Sequence, residues 1–126
     1  MRVLIVESNV GLAAIWQAHL ERQGAEVNTV SDQDSAVQKL FCAPVDVIIL
    51  NVILENGSAL AVADMASFRQ PNARVVFVTN SSFFSDGSIF NHVPNACAFL
   101  PSETAPKDLA SIVQHFAQEA PSASRP

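Results

Sequence analysis

The sequence predicts an α/β fold: a doubly wound, five-stranded parallel sheet with helices on both faces. Residues 3–6, 47–50 and 75–78 are apolar runs without alternation, the pattern of strands covered on both sides. Segments of helical period alternate with these runs, and right-handed crossovers between parallel strands wind them into one sheet. Each run also stops at short polar residues, namely Glu7 and Ser8, Asn51, and Thr79 with Asn80, and a fourth run, 98–101, stops at Ser102. Parallel strands that end alike place those residues along the carboxyl edge, where open α/β sheets build ligand sites. That edge gathers Glu7, Ser8, Asn51, Thr79 and Ser102, which is one acid, several neutral hydrogen-bonding groups and no base.

The elements follow in order. Strand 3–6 leads into a helix over 9–23, in which Leu12, Ile15, Trp16 and Leu20 recur near the helical period, Asn9 caps the start and Gly24 ends it. Residues 26–30 make a short second strand. Ser31 and Asp32 open a helix that carries Ala36, Val37, Leu40 and Phe41 and stops before Pro44. Strand 46–50 precedes an Ala-rich helix over 57–70, whose small side chains allow close packing on the sheet. Pro71 and Asn72 turn the chain into strand 74–78. Residues 80–94 are the least regular stretch and predict a short or frayed helix. After strand 97–100, Pro106 suits a first helical position, and Leu109, Ile112, Val113 and Phe116 follow at i, i+3, i+4 and i+7. Residues 119–126, rich in Pro, Ser and Ala, predict a disordered tail or linker stub, so the domain spans 1–118.

Composition excludes several functions. A chain of 126 residues fits one domain, and no apolar stretch approaches the roughly 20 residues of a membrane helix. The start is too soon interrupted by Glu7 for a secretory signal, so a soluble cytoplasmic protein is expected. Twelve acids against seven scattered bases, a net charge of −5, leave no basic face for direct nucleic-acid binding. Cys42 and Cys97 are too few for a disulfide scaffold and read as buried, reduced thiols. His19, His92 and His115 fall on different elements without ligand spacing, so no metal site is expected.

The segments VLIVES, VDVIILN with VILENGSA, VVFVTN and ACAFLPS, in that order and register, resemble the CheY-like receiver domains of bacterial two-component response regulators over nearly all of 1–118. The resemblance implies a flavodoxin-like (βα)5 fold with strand order 2-1-3-4-5. In receivers two acids after the first strand hold Mg²⁺; here they correspond to Glu7 and Ser8. Asn51 stands at the phospho-accepting Asp, Thr79 at a retained Thr or Ser, Phe99 at the aromatic switch and Ser102 at the pocket Lys. Glu103 replaces the proline after that Lys, so the Ser102–Glu103 bond is expected trans, a non-proline cis bond costing about 2.5–4 kcal/mol. Glu55 replaces another proline, which implies a less rigid loop after the third strand.

Aspartyl phosphorylation needs a carboxylate nucleophile, Mg²⁺ on the phosphoryl oxygens and a cation for the remaining charge. Asn51 offers an amide, Ser8 no carboxylate for an octahedral oxygen shell, and Ser102 no charge. Three losses in one pocket imply a degenerate, non-phosphorylatable pseudo-receiver. Such a module has no enzymatic activity, Mg²⁺ or cofactor, and signals by contact with a protein partner or as a homodimer. One alternative is the receiver part of a longer regulator. Another is a flavodoxin-like binder of a small ligand at the Asn51 edge, against which no Gly-rich phosphate loop follows any strand.

The same residues also have purely structural readings. Asn51 and Ser8 exchange hydrogen bonds at strand ends, Thr79 is a β-branched strand residue and Phe99 belongs to the core. Trp16 packs on the sheet or lies partly exposed, and Asn56 with Gly57 forms a turn, both tolerating positive φ. Output in receivers passes through the face of the helix before the last strand, that strand and the last helix. Phe83, Phe84, Ile89 and Phe90 border this face with more apolar bulk than one side of a short helix buries, which makes them the candidate partner surface.

Overall fold

The computed structural model describes residues 1–79 and 94–122. Along them run β1 (Arg2–Val6), α1 (Val10–Arg22), β2 (Glu26–Val30), α2 (Gln33–Cys42), β3 (Val47–Asn51), α3 (Ala59–Arg69), β4 (Arg74–Thr79), β5 (Ala96–Pro101) and α4 (Pro106–Ser122). All pairings are parallel, and the sheet order is β2-β1-β3-β4-β5, as expected. Winding therefore reverses between β1 and β3, whose carboxyl ends carry Glu7 and Asn51.

Strand alternation sends successive side chains to opposite faces. Leu4, Val6, Ile48, Leu50, Val75 and Phe77 form one core with Ala36 and Leu40 of α2 and Ala59, Val62, Ala63 and Ala66 of α3. Val3, Ile5, Val47, Ile49, Val76 and Val78 form the other with Ala13, Trp16 and Leu20 of α1 and Leu109, Ala110 and Val113 of α4. The central strands are apolar on both faces because both faces are covered. The helix expected within 80–94 falls outside the described residues, as do Phe83, Phe84, Ile89 and Phe90.

Several placements differ from the sequence reading. Trp16 packs on the sheet, one of its two expected placements, fully buried with its indole Nε1 unpartnered among the described residues, whereas Ile15 of the expected apolar stripe is 48% exposed. The buried stripe of α1 is Ala13, Trp16 and Leu20, so the large ring takes the sheet side over the alanine. Phe41 is 49% exposed and its ring lies 4.6 Å beneath the Arg69 guanidinium. Phe99, on the edge strand β5, is half-buried and packed against the core, stacking on Phe77 at 5.1 Å. Cys42 is exposed and Cys97 half-buried, and neither forms a disulfide. Helix α4 continues to Ser122, past the boundary expected at 118, since Ala117, Gln118, Glu119 and Ala120 are mostly good helix formers. The Ser102–Glu103 bond is trans, and among the described residues no helix is long and apolar enough to cross a membrane.

Candidate functional site

Glu7 leaves the end of β1 with its backbone N–H donating to Val30 O at 3.0 Å. Its side chain is 4% exposed. Oε1 accepts from Asn51 Nδ2 at 2.7 Å, and Oε2 accepts from the Asn9 backbone N–H at 3.0 Å. Asn9 is also the N-cap of α1, its Oδ1 accepting from Leu12 N at 3.1 Å. Helix start and buried carboxylate thus share one residue. Asn51, the last residue of β3, uses its other amide atom as well: Oδ1 accepts from Ile53 N at 2.9 Å. The carboxamide bridges β1 to the chain leaving β3.

Ser8 makes a second bridge. Its hydroxyl donates to Ser31 O at 3.0 Å and accepts from Glu55 N at 2.9 Å. A proline at position 55 has no N–H to give, so the hydrogen bond depends on Glu55 as much as on Ser8. The loop after β3 is therefore fastened, contrary to the slackness expected from the missing proline. Further along, Gln33 N donates to Asn56 O at 3.1 Å and Gln33 Oε1 accepts from Ser58 N at 2.9 Å. Gly57 has φ +108°, and a Cβ there would collide with the Gln33 side chain, so glycine is required on two counts. Asn56, by contrast, keeps negative φ, and only half of the expected turn pair uses the left-handed region.

Thr79 ends β4 buried, and its carbonyl accepts from Ser102 N at 2.8 Å, which sets Ser102 one residue past β5 on the same edge. Hydrogen bonds join Glu7 to Asn51 and Thr79 to Ser102; Val52 N, donating to Val78 O at 2.8 Å, links the two halves through the backbone. Ser31 and Gln33 carry part of this network without a distinguishing sequence signal. Their partners lie on other elements.

Charge is the other property of the edge. Among the described residues no Lys, Arg or His comes within ion-pair distance of Glu7; the Arg2–Glu26 pair, at 4.0 Å, sits at the opposite edge. Asp32, the N-cap of α2, has its pKa lowered from 3.8 because its carboxylate accepts hydrogen bonds from the Ser35 backbone and side chain. Mg²⁺ does not fit here. One carboxylate faces two amide donors, and Ser8 is spent on Ser31 and Glu55, whereas Mg²⁺ demands a near-octahedral shell of oxygens.

No family model matches the sequence, and no curated protein matches it. Solved structures do. The response regulator receiver domain protein (CheY-like) from Methanospirillum hungatei JF-1 is similar at TM-score 0.89 and 19% identity, with 98% of each chain covered. The signal receiver domain of a putative Luxo repressor protein from Vibrio parahaemolyticus is similar at TM-score 0.87 and 20% identity, covering 97% of this chain and 93% of that one. Response regulator protein TrrA from Thermotoga maritima, solved in complex with Mg²⁺-BeF, gives TM-score 0.78 and 22% identity over 91% of this chain and 97% of that one. The fold is that of CheY-like receiver domains.

Proposed function

We propose that the chain is a receiver-like signalling module that works by protein contact without aspartyl phosphorylation. One observation carries this reading. The positions where a nucleophile and a metal ligand would stand are occupied by Asn51 and Ser8, and both are consumed in hydrogen bonds that close the edge upon itself. A neutral amide is too weak a nucleophile to attack phosphorus as a carboxylate does, and Ser102 supplies no cation for a transferred phosphoryl group. The module has no enzymatic role of its own. Its partner surface includes Phe83, Phe84, Ile89 and Phe90, and its partner is a signalling protein, an output domain or a second copy.

The test is incubation with Mg²⁺ and a small phosphodonor. Intact mass is expected to stay unchanged, and one added phosphoryl group mapped near Asn51 would overturn the reading.

A further inference from the structure

Between α1 and the edge strand β2 runs a groove of about 390 Å³, within the range of roughly 300–1,000 Å³ typical of small-ligand sites. Asn51, Thr79 and Ser102 take no part in its lining. It therefore shares Glu7 with the strand-end site and otherwise lies to one side of it. Its floor is Glu7 and Ala13, each 4% exposed, and its rim includes Val10, 74% exposed, with Ala14, Thr29 and Ser31. Thr29 pairs with Ile5, which lies in the core beneath α1, and Glu7 follows two residues later on the same alternation. The space exists because α1 turns two alanines toward β2.

The groove has what two other concavities among the described residues lack. A smaller one of about 160 Å³ at the opposite sheet edge contains Arg2 and Glu26, which pair with each other. Another of about 430 Å³ between the ends of α2 and α3 has its cation, Arg69, laid on Phe41. In the α1–β2 groove the floor carries a buried carboxylate without a cation among the described residues. Burying an unpaired charge is costly. Asn51 Nδ2 and Asn9 N occupy one acceptor position on each oxygen, and a carboxylate has about four.

We infer that this groove binds a small primary ammonium compound with a short apolar body. Three N–H donors match the remaining lone pairs of Glu7 together with hydroxyls at the rim, and the charge offsets the buried carboxylate. The apolar wall of Val10, Ala13 and Ala14 accepts a short alkyl chain. A divalent metal would find a single carboxylate there.

The probe is n-butylammonium titrated into the full chain and followed by amide NMR shifts, with n-butanol as the uncharged control. Saturable shifts are expected at residues 7, 13, 14 and 29–31 with the ammonium and none with the alcohol. Glu7→Gln keeps an acceptor for Asn51 and should weaken binding at least about tenfold, the scale of one charge-assisted hydrogen bond. Ala14→Leu, at an exposed helical position, should fill the groove and weaken binding about as much without moving the unfolding midpoint. Lack of saturation, equal shifts with n-butanol, or unchanged affinity in Ala14→Leu would each overturn the inference. The last two remain decisive if Glu7→Gln fails to fold.

Discussion

Asn51 and Glu7 hold each other at 2.7 Å because one is neutral and donates while the other is anionic and accepts. Asn51→Asp removes that donor and sets two carboxylates face to face. With both ionised they repel, so one carboxyl of the pair ionises less readily in the folded variant than in its unfolded chain. A folded pKa raised above the unfolded one is a penalty above that range, relieved as pH falls through it. The variant is therefore expected to lose about 1–3 kcal/mol at pH 7 and distinctly less near pH 4. Urea titrations followed by Trp16, the sole tryptophan, measure both; equal losses would mean the pair is not in contact. Asp32 has the opposite sign. Its folded pKa is lowered by the bonds from Ser35, so its stabilisation is present above the ordinary value of 3.8 and fades as pH falls through the lower folded value. Asp32→Asn still caps α2, so the wild-type advantage over it should shrink in that acid window, and a gap unchanged there would place the effect elsewhere.

Elements in this molecule are tied by side chains at their ends as well as by the sheet. Gln70, the C-cap of α3, donates to Leu40 O at 2.8 Å and Ala43 O at 2.7 Å where α2 ends, and accepts from Val45 N at 2.8 Å where the chain enters β3. Asn95 does similar work at the start of β5, donating to Ala73 O at 2.7 Å and accepting from Ser67 Oγ at 2.6 Å. Gln70→Ala leaves three backbone groups with water or nothing, and is expected to cost about 1–3 kcal/mol. The midpoint of a denaturant transition should fall at constant slope, since the surface exposed on unfolding is unchanged; no shift would mean that water replaces the amide fully. None of these ties was legible in the sequence. Caps at Asn9 and Asp32 were, because their partners lie three residues away. Gln70 and Asn95 reach across 22 to 30 residues, and Ser8 meets Glu55 across 47. The strand ends that make the site could be read because apolar runs stop there. The bonds closing it needed the fold.

At the scale of the whole molecule, the carboxyl edge of the sheet is held together by side-chain pairs. The Ser8 hydroxyl accepts from the Glu55 N–H at 2.9 Å. The Asn51 amide donates to the Glu7 carboxylate at 2.7 Å. Side-chain hydrogen bonds link β1 to the loop after β3, which supports the proposal that no divalent cation bridges them. Millimolar Mg²⁺ is accordingly expected to leave the melting temperature where monovalent salt of equal ionic strength leaves it. Specific binding would instead raise stability by RT ln(1 + [L]/Kd), about 2.7 kcal/mol at a hundredfold excess over Kd. The double variant Ser8→Asp with Asn51→Asp supplies three carboxylates and releases the Glu55 amide. That variant should be less stable than wild type without metal and should regain stability saturably with Mg²⁺. A saturable rise in the wild type, abolished by Glu7→Gln, would show instead that one buried carboxylate suffices and that the hydrogen bonds open to admit the ion.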